Sequence, residues 1–219
     1  MIVAPHPDDE VLGAGGTLLR RKSQGNQIGW LIMTHMGGDG SYSVEDKQRR
    51  NLEIEEVKHF FNFDFVEQLD FETKRLCEIR TSVLVKNVSR SLDEFAPDEL
   101  LIPHSSDVHS DHKITFNVIA SCTKWFRNAH VRRVLSYETL SETGFGLGRE
   151  ATFNPNYFVD ITSFLYSKVK AMEIYSSEMA EFPFPRSGEA IESLAKYRGA
   201  SAGVKAAEAF ELLRDISEC

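Results

Sequence analysis

Pro5-His6-Pro7-Asp8-Asp9-Glu10 gathers an imidazole and three carboxylates into one short run. A histidine and a carboxylate three positions apart, joined by a proline-stiffened turn, can share one Zn²⁺ in roughly tetrahedral geometry. The adjacent second carboxylate could then face a water rather than the metal. The same acids also suit a plain helix N-terminus, through capping and the helix dipole. Three in a row beside His-Pro are more than a cap needs. A second cluster follows at Pro103-His104-Ser105-Ser106-Asp107-Val108-His109-Ser110-Asp111-His112, which holds three of the chain's 7 histidines. Asp107, His109, Asp111 and His112 form a polar group that a core could not absorb without a metal or a function. One histidine from this cluster could complete a site of two histidines and one carboxylate, leaving a position open for water. Another, off the metal, could stabilise an oxyanion or donate a proton, and Asp111 could orient an imidazole. The chemistry these residues suit is metal-assisted hydrolysis of a carbonyl bond.

Both clusters need a scaffold that delivers them to one place. Short β-rich runs at Ile2–Ala4, Ile28–Thr34, Asp64–Glu67, Glu99–Ile102, Val131–Tyr137 and Phe158–Asp160 alternate with helical stretches at Gly13–Ser23, Val44–Phe61, Thr73–Phe95 and His112–Arg127. Leu84, Val88, Leu92 and Phe95 recur at helical spacing. The pattern predicts a Rossmann-like α/β fold: an open, mostly parallel sheet with helices on both faces. His6 follows the first strand and His104 the fourth, so both clusters open at the carboxyl edge, where such folds bind ligands. Residues 138–155 read as a long loop and a candidate lid or specificity loop. Helices are expected again at Thr162–Ser176 and Glu189–Arg214, the second interrupted near Gly199–Gly203, with Phe182 to Arg186 extended between them. No linker divides the chain, so residues 1–219 read as one domain. Gly13-Ala14-Gly15-Gly16 misses a dinucleotide fingerprint, because Leu18 stands at its last glycine and the preceding acids would repel a pyrophosphate. These glycines are expected to let a helix approach the sheet closely.

Composition excludes several other classes. The 219 residues carry 25 Lys and Arg against 33 Asp and Glu, a formal charge of −8. That balance argues against a nucleic-acid binder and gives no attraction to an anionic membrane. No apolar run is long enough to span a bilayer, and the N-terminus lacks the build of a signal peptide. Cys77, Cys122 and Cys219 are too scattered for a thiolate cluster or a disulfide framework. A cytoplasmic protein is the expectation.

At its two clusters the chain resembles the LmbE-like, or PIG-L, family of zinc N-deacetylases, which remove acetyl groups from N-acetylglucosamine-type sugars and glycoconjugates. Pro5 to Glu10 match the family's (A/P)-H-P-D-D-E signature at every position, and Asp107, His109, Asp111 and His112 match D-x-H-x-D-H. Arg50-Asn51-Leu52-Glu53 matches a weaker R-x-x-E helix start, and segments around Asp160, Arg186 and Arg198 look like the bacterial branch. The resemblance implies one Zn²⁺ held by His6, Asp9 and His112, with Fe²⁺ or Co²⁺ fitting the same ligands. It implies Asp8 as general base toward water, and His109, tuned by Asp111, as oxyanion stabiliser and proton donor to the departing amine. Arg50 would hold substrate, or simply pair with Glu53 on its helix. Arg186 and Arg198 are sugar or anion contacts, or structural pairs. The expected partner is a small N-acetylated sugar or glycoconjugate, and a homo-oligomer is compatible with the family. Family members usually have a longer first strand than Met1 to Ala4, so a weakly anchored His6 strand is expected if the chain is complete. With no membrane span like that of the eukaryotic glycolipid deacetylases, a soluble bacterial-type substrate is expected. The rival readings are a zinc amidase that cleaves a larger acyl group from a sugar-linked amine, and a non-catalytic metal- or sugar-binding module. Phe145, Phe153, Tyr157, Phe182 and Phe184 could stack on a sugar or serve packing.

Overall fold

The computed structural model describes residues 1–37, 40–147 and 152–217. Among these, seven strands form one sheet in the order β3-β2-β1-β4-β5-β7-β6. The strands are β1 (Ile2–Ala4), β2 (Gly29–Ile32), β3 (Phe65–Gln68), β4 (Glu99–Pro103), β5 (Arg133–Tyr137), β6 (Tyr157–Asp160) and β7 (Ala207–Asp215). The first five pair in parallel, and β7 runs antiparallel between β5 and β6. The helices are α1 (Asp9–Ser23), α2 (Val44–Phe61), α3 (Thr81–Phe95), α4 (Ser110–Cys122), α5 (Leu165–Ile174) and α6 (Gly188–Ala202).

Strand periodicity sends alternate side chains to opposite faces, and β1 shows the result. Ile2 and Ala4 join a core with α1, α2, α5 and α6, whereas Met1 and Val3 join one with α3 and α4. Helices therefore cover both faces, as expected. Far from being weakly anchored, β1 lies between β2 and β4 with every residue buried.

Two expected helices are corrected. Thr73–Phe95 is helical only from Thr81; before it lies a loop with Lys74 at φ 66° and a short 3₁₀ turn at Leu76–Glu78. The backbone N–H groups of Lys74 and Leu76 donate to the Asp111 carboxylate, at 2.6 and 3.4 Å, so a helix there would forfeit those bonds. Glu189–Arg214 is α6 followed by β7. Gly203, at φ 73°, ends α6 in a left-handed turn, and the good helix formers of Ala207-Glu208-Ala209-Phe210-Glu211-Leu212 are drawn into the sheet between β5 and β6. Smaller shifts concern α1, which starts at Asp9 rather than Gly13, and α4, which ends at Cys122 rather than Arg127. Of the loop expected over 138–155, residues 148–151 lie outside the described residues, as does Cys219.

The glycine run brings α1 onto the sheet as expected. A Cβ on Gly13 would lie 2.3 Å from Cδ2 of Tyr137, a fully buried ring whose hydroxyl donates to the Val3 carbonyl at 2.9 Å. The helix kinks at Ala14 (φ −148°), and Glu208 accepts from the N–H groups of Gly16 and Thr17 at 2.9 and 2.6 Å. Lys168 pairs with Glu208 at 2.6 Å and donates to the Leu12 carbonyl at 2.9 Å. Gly13→Ala is expected to cost about 1–3 kcal/mol through overpacking, read as a lower urea midpoint at unchanged m-value.

Candidate metal centre

Both motifs reach the carboxyl edge of the sheet, β1 delivering His6 and β4 delivering the 104–112 segment. The rings of His6 and His112 lie 5.4 Å apart, centroid to centroid. His6 Nδ1 is 3.4 Å from Asp9 Oδ2, and His112 Nε2 is 3.3 Å from the same oxygen. Two metal bonds of about 2.0–2.1 Å meeting at a tetrahedral angle set their donor atoms about 3.3–3.4 Å apart. The spacing of this triad is that of a tetrahedral edge, and all three donor atoms lie within 4.8 Å of one another. The donor set therefore fits a divalent ion of zinc's size.

Hydrogen-bond direction fixes which ring atoms face that point. Asp111 accepts the Lys74 and Leu76 N–H groups, so its contact with His6 Nε2, at 3.1 Å, needs a proton on Nε2 and leaves Nδ1 for the metal. Asp107 Oδ2 lies 2.8 Å from His112 Nδ1, so a neutral His112 carries its proton on Nδ1 and its lone pair on Nε2. This differs from the expected part for Asp111. Its carboxylate engages His6, while His109 Nδ1 stands 4.0 Å from it and instead accepts the Asp111 backbone N–H at 3.1 Å. A neutral His109 consequently carries its proton on Nε2. A second acid–imidazole group, His6, His109 and Asp111, is also compact. It is a poorer donor set, because His109 Nδ1 already accepts the Asp111 backbone N–H and both Asp111 oxygens accept backbone N–H groups, whereas in the first triad Asp9 Oδ2 alone accepts one, from His6 at 2.8 Å.

Asp8 occupies the N-cap position of α1 but makes no side-chain cap, so the plain capping account does not describe it. Its backbone sits at φ 129°, a region costing about 1–3 kcal/mol for a side-chain-bearing residue. Glu10 Oε2 accepts the Asp8 N–H at 3.1 Å, and the Asp8 carbonyl accepts from Val11 and Leu12, each at 3.0 Å. Tyr175 donates to Glu10 Oε1 at 2.7 Å. Asp8 Oδ2 accepts from Arg186 Nη1 at 2.9 Å, and the same nitrogen reaches Glu178 at 3.0 Å. Arg186 is thus a neighbour of the candidate base. Arg198 is not at the site; it pairs bidentately with Glu138. Arg50 lies in the interior of α2, whose start is capped by Ser43 and Asp46, rather than at a helix start. It is 6% exposed, donates to the Pro7 carbonyl at 2.8 Å and pairs with Glu178 and with Glu53. Its guanidinium braces the His6–Glu10 turn from below while still lining the cavity.

That cavity, of about 370 Å³, is lined by His6, Asp8, Asp9, His109 and His112 together with Tyr42, Lys74, Glu142 and Arg186. A larger one, of about 650 Å³, opens at the opposite edge of the sheet. There Arg21 pairs with Glu99 and Arg133 with Asp215, and among the described residues the groups that could hold a metal ion all lie at the other edge. Of the aromatic residues expected near a sugar, Phe184 packs beneath Arg186 and Phe145 is exposed just beyond Glu142. Phe182 is also exposed, whereas Phe153 packs on His104 and Tyr157 on Phe210.

Burial opposes protonation of His6, but Asp111 and Asp9 on either side carry its pKa up to about 9. Burial likewise opposes His112, and Asp9 and Asp107 lift it to about 10. For Asp9 burial works upward, yet the two imidazoles hold it well below the carboxylate range. Burial and then the Asp9 charge push Asp8 up to about 7 against the pull of Arg186. Burial raises Glu10 to about 8, and burial with the nearby His6 lowers His109 to about 4. Without a metal, then, protons on His6 and His112 supply the positive charge around Asp9.

The sign of the resulting pH dependence follows from linkage. Above pH 6.5, where unfolded histidine is neutral, His6 and His112 keep native protons up to about 9 and 10, and Asp8 and Glu10 keep theirs toward about 7 and 8. The metal-free native state binds more protons there than the unfolded chain, so its stability falls as pH rises from 6.5 to 9. A divalent ion competes with those protons and gains affinity over the same range. Thermal unfolding in chelator is expected to show a falling Tm, and the shift on adding Zn²⁺ is expected to widen with pH.

Comparison with known proteins bears on this geometry. The family model described as PIG-L, GlcNAc-PI de-N-acetylase, matches residues 1–123, a span that holds both motifs. The chain belongs to the PIG-L family. Beyond the family match, a diacetylchitobiose deacetylase of Thermococcus kodakarensis is 25% identical over 240 residues, covering 99% of this chain and 83% of that protein. Among solved structures, the conserved protein TT1542 from Thermus thermophilus superposes with a TM-score of 0.79 at 26% identity, over 100% of this chain and 96% of that one. GalB, the 4-carboxy-2-hydroxymuconate hydratase of Pseudomonas putida, superposes at 0.77 with 16% identity, over 100% and 97%. That last likeness is one of fold alone. A PIG-L fold therefore leaves the reaction to be argued from the side chains at its edge.

Proposed function

We propose that this PIG-L family member is a zinc-dependent hydrolase that removes the acetyl group from N-acetylglucosamine-type sugars or glycoconjugates. The observation that carries the reading is the tetrahedral-edge spacing of His6 Nδ1, Asp9 Oδ2 and His112 Nε2, with Asp8 and His109 beside them on one cavity. The family match and the deacetylase relative support the substrate class. We read residues 1–219 as one catalytic domain, and none of its described helices is long and apolar enough to cross a membrane.

His6, Asp9 and His112 would hold the Zn²⁺, which would supply Lewis acidity toward the amide carbonyl and lower the pKa of water toward about 7. Asp8 stands outside the donor set, with Oδ2 held by Arg186, and Oδ1 takes the proton of the attacking water. The strained turn at Asp8, pinned by Glu10 and Tyr175, keeps that carboxylate off the triad and turned to the cavity. His109, its Nδ1 already accepting a backbone N–H, offers Nε2–H to the oxygen that becomes negative. The proton collected by Asp8 is then available to the departing amine, which relieves His109 of the proton-donor part the sequence suggested. Asp111 serves by holding His6 in its ligating tautomer, and Arg50 by bracing the turn.

The test is a panel of N-acetylated glucosaminides offered to zinc-loaded protein, read by fluorescamine for new amine and by enzymatic assay for acetate. Equal amounts of amine and acetate are expected. Release of a longer acyl group in preference to acetate would favour the larger-acyl amidase, and no amine from any member of the panel would contradict the reading.

A further inference from the structure

We propose that Thr143 is a positioning residue for the ligand His112, acting through Asp107; the inference rests on the metal reading above. Thr143 lies beyond residues 1–123, the span matched by the family model, in a short 3₁₀ turn of residues 143–145. Its hydroxyl oxygen accepts the Thr139 N–H at 2.8 Å and lies 2.6 Å from Asp107 Oδ1. A hydroxyl has one proton, and a backbone N–H can only donate. The Thr143 proton is therefore committed to Asp107, whose other oxygen faces His112 Nδ1 at 2.8 Å. Donation runs one way, from Thr139 N–H to Thr143 Oγ1 and from Thr143 O–H to Asp107.

Asp107 is fully buried, so an unpartnered oxygen there would be costly. With Thr143 on one oxygen and His112 on the other, the carboxylate is fixed against rotation and acts as an acceptor on both sides. This holds the proton on Nδ1 of His112 and turns Nε2 toward Asp9, at 3.3 Å. The turn itself is closed by bonds from the Glu142 and Thr143 N–H groups to the Thr139 carbonyl, at 3.1 and 3.0 Å. Glu142 accepts the His109 N–H at 3.1 Å, so adjacent residues of one turn grip both His109 and the Asp107–His112 pair. The 139–143 turn, which leaves β5 beside β4, thus acts as a clamp on the second motif.

Loss of a partner behind a metal-bound imidazole costs about 10–100-fold in metal affinity. Zinc affinity is measured by competition with a chromophoric chelator for the wild type, Thr143→Val and Thr143→Ser, with Thr143→Ala replacing the valine variant should that fail to fold. Thr143→Val is expected to bind zinc about tenfold or more weakly, while Thr143→Ser, which keeps the hydroxyl, stays near wild type. In the zinc-loaded protein the downfield Nδ1–H proton resonance of His112 is expected to persist in the serine variant and to shift or broaden in the valine one. Wild-type affinity with an unmoved His112 resonance in Thr143→Val would overturn the inference while leaving the metal site intact. Equal losses in the serine and valine variants would assign the effect to packing of the turn and contradict it. A wild type that takes up no zinc would overturn the metal reading and this inference together.

Discussion

His112→Ala is expected to lose zinc and hydrolysis together. His112 is 1% exposed and is one of the three side chains of the proposed donor set. Its removal also leaves Asp107 and Asp9, both buried, without the imidazole that lies 2.8 and 3.3 Å away. Breaking a buried charged pair by deleting one partner costs about 3–5 kcal/mol, so the variant should also unfold at lower denaturant. Metal analysis after dialysis, the free-amine assay and urea unfolding check the three consequences separately. Retention of stoichiometric zinc would remove His112 from the ligand set.

Asp8→Asn should separate chemistry from binding. The amide keeps the size of the carboxylate and tolerates positive φ better than most residues, so the turn at φ 129° should survive. It cannot take a proton from water, and loss of a positioned general base costs about 10²–10⁴-fold in turnover. Zinc content should remain at the wild-type value and KM should change little, because Asp8 lies outside the donor set. A variant of full kcat would overturn the base assignment, and one that loses zinc would make Asp8 a ligand.

The residues of the candidate donor set were legible because their spacing is local. His6 and Asp9 are three positions apart on one turn, and strand alternation alone sends that turn and the 104–112 segment to the same edge. What holds those residues is not local. Asp111 serves His6, 105 positions away, and Tyr175 reaches Glu10 across 165. Arg186 meets Asp8 across 178 positions. Asp111 lies in the second motif, but neither its place there nor the positions of Tyr175 and Arg186 say which side chain each one meets, because spacing along the chain carries no information about such pairs. The hint for Glu10 was its place as the third acid of the run. Nothing in the sequence marked Asp107 as the acceptor for Thr143.

The fold was legible where periodicity and burial agree and misread where they part. α3 keeps its stripe of Leu84, Val88 and Leu92, all buried. β7 is rich in Ala, Glu and Leu, which favour helix when isolated, and becomes a strand because β5 and β6 offer it two ladders. Arg50 followed the same logic in reverse. A charged residue in the interior of a helix reads as solvated, but here the Pro7 carbonyl and Glu178 draw it inward.

The most direct test of the metal centre is an anomalous difference map, recorded at the zinc edge, from crystals of the zinc-loaded protein. One peak per chain is expected, about 2.0–2.1 Å from His6 Nδ1 and His112 Nε2 and bonded to Asp9. A peak shared instead by His6 Nε2, His109 and Asp111, or none at either group, would contradict it.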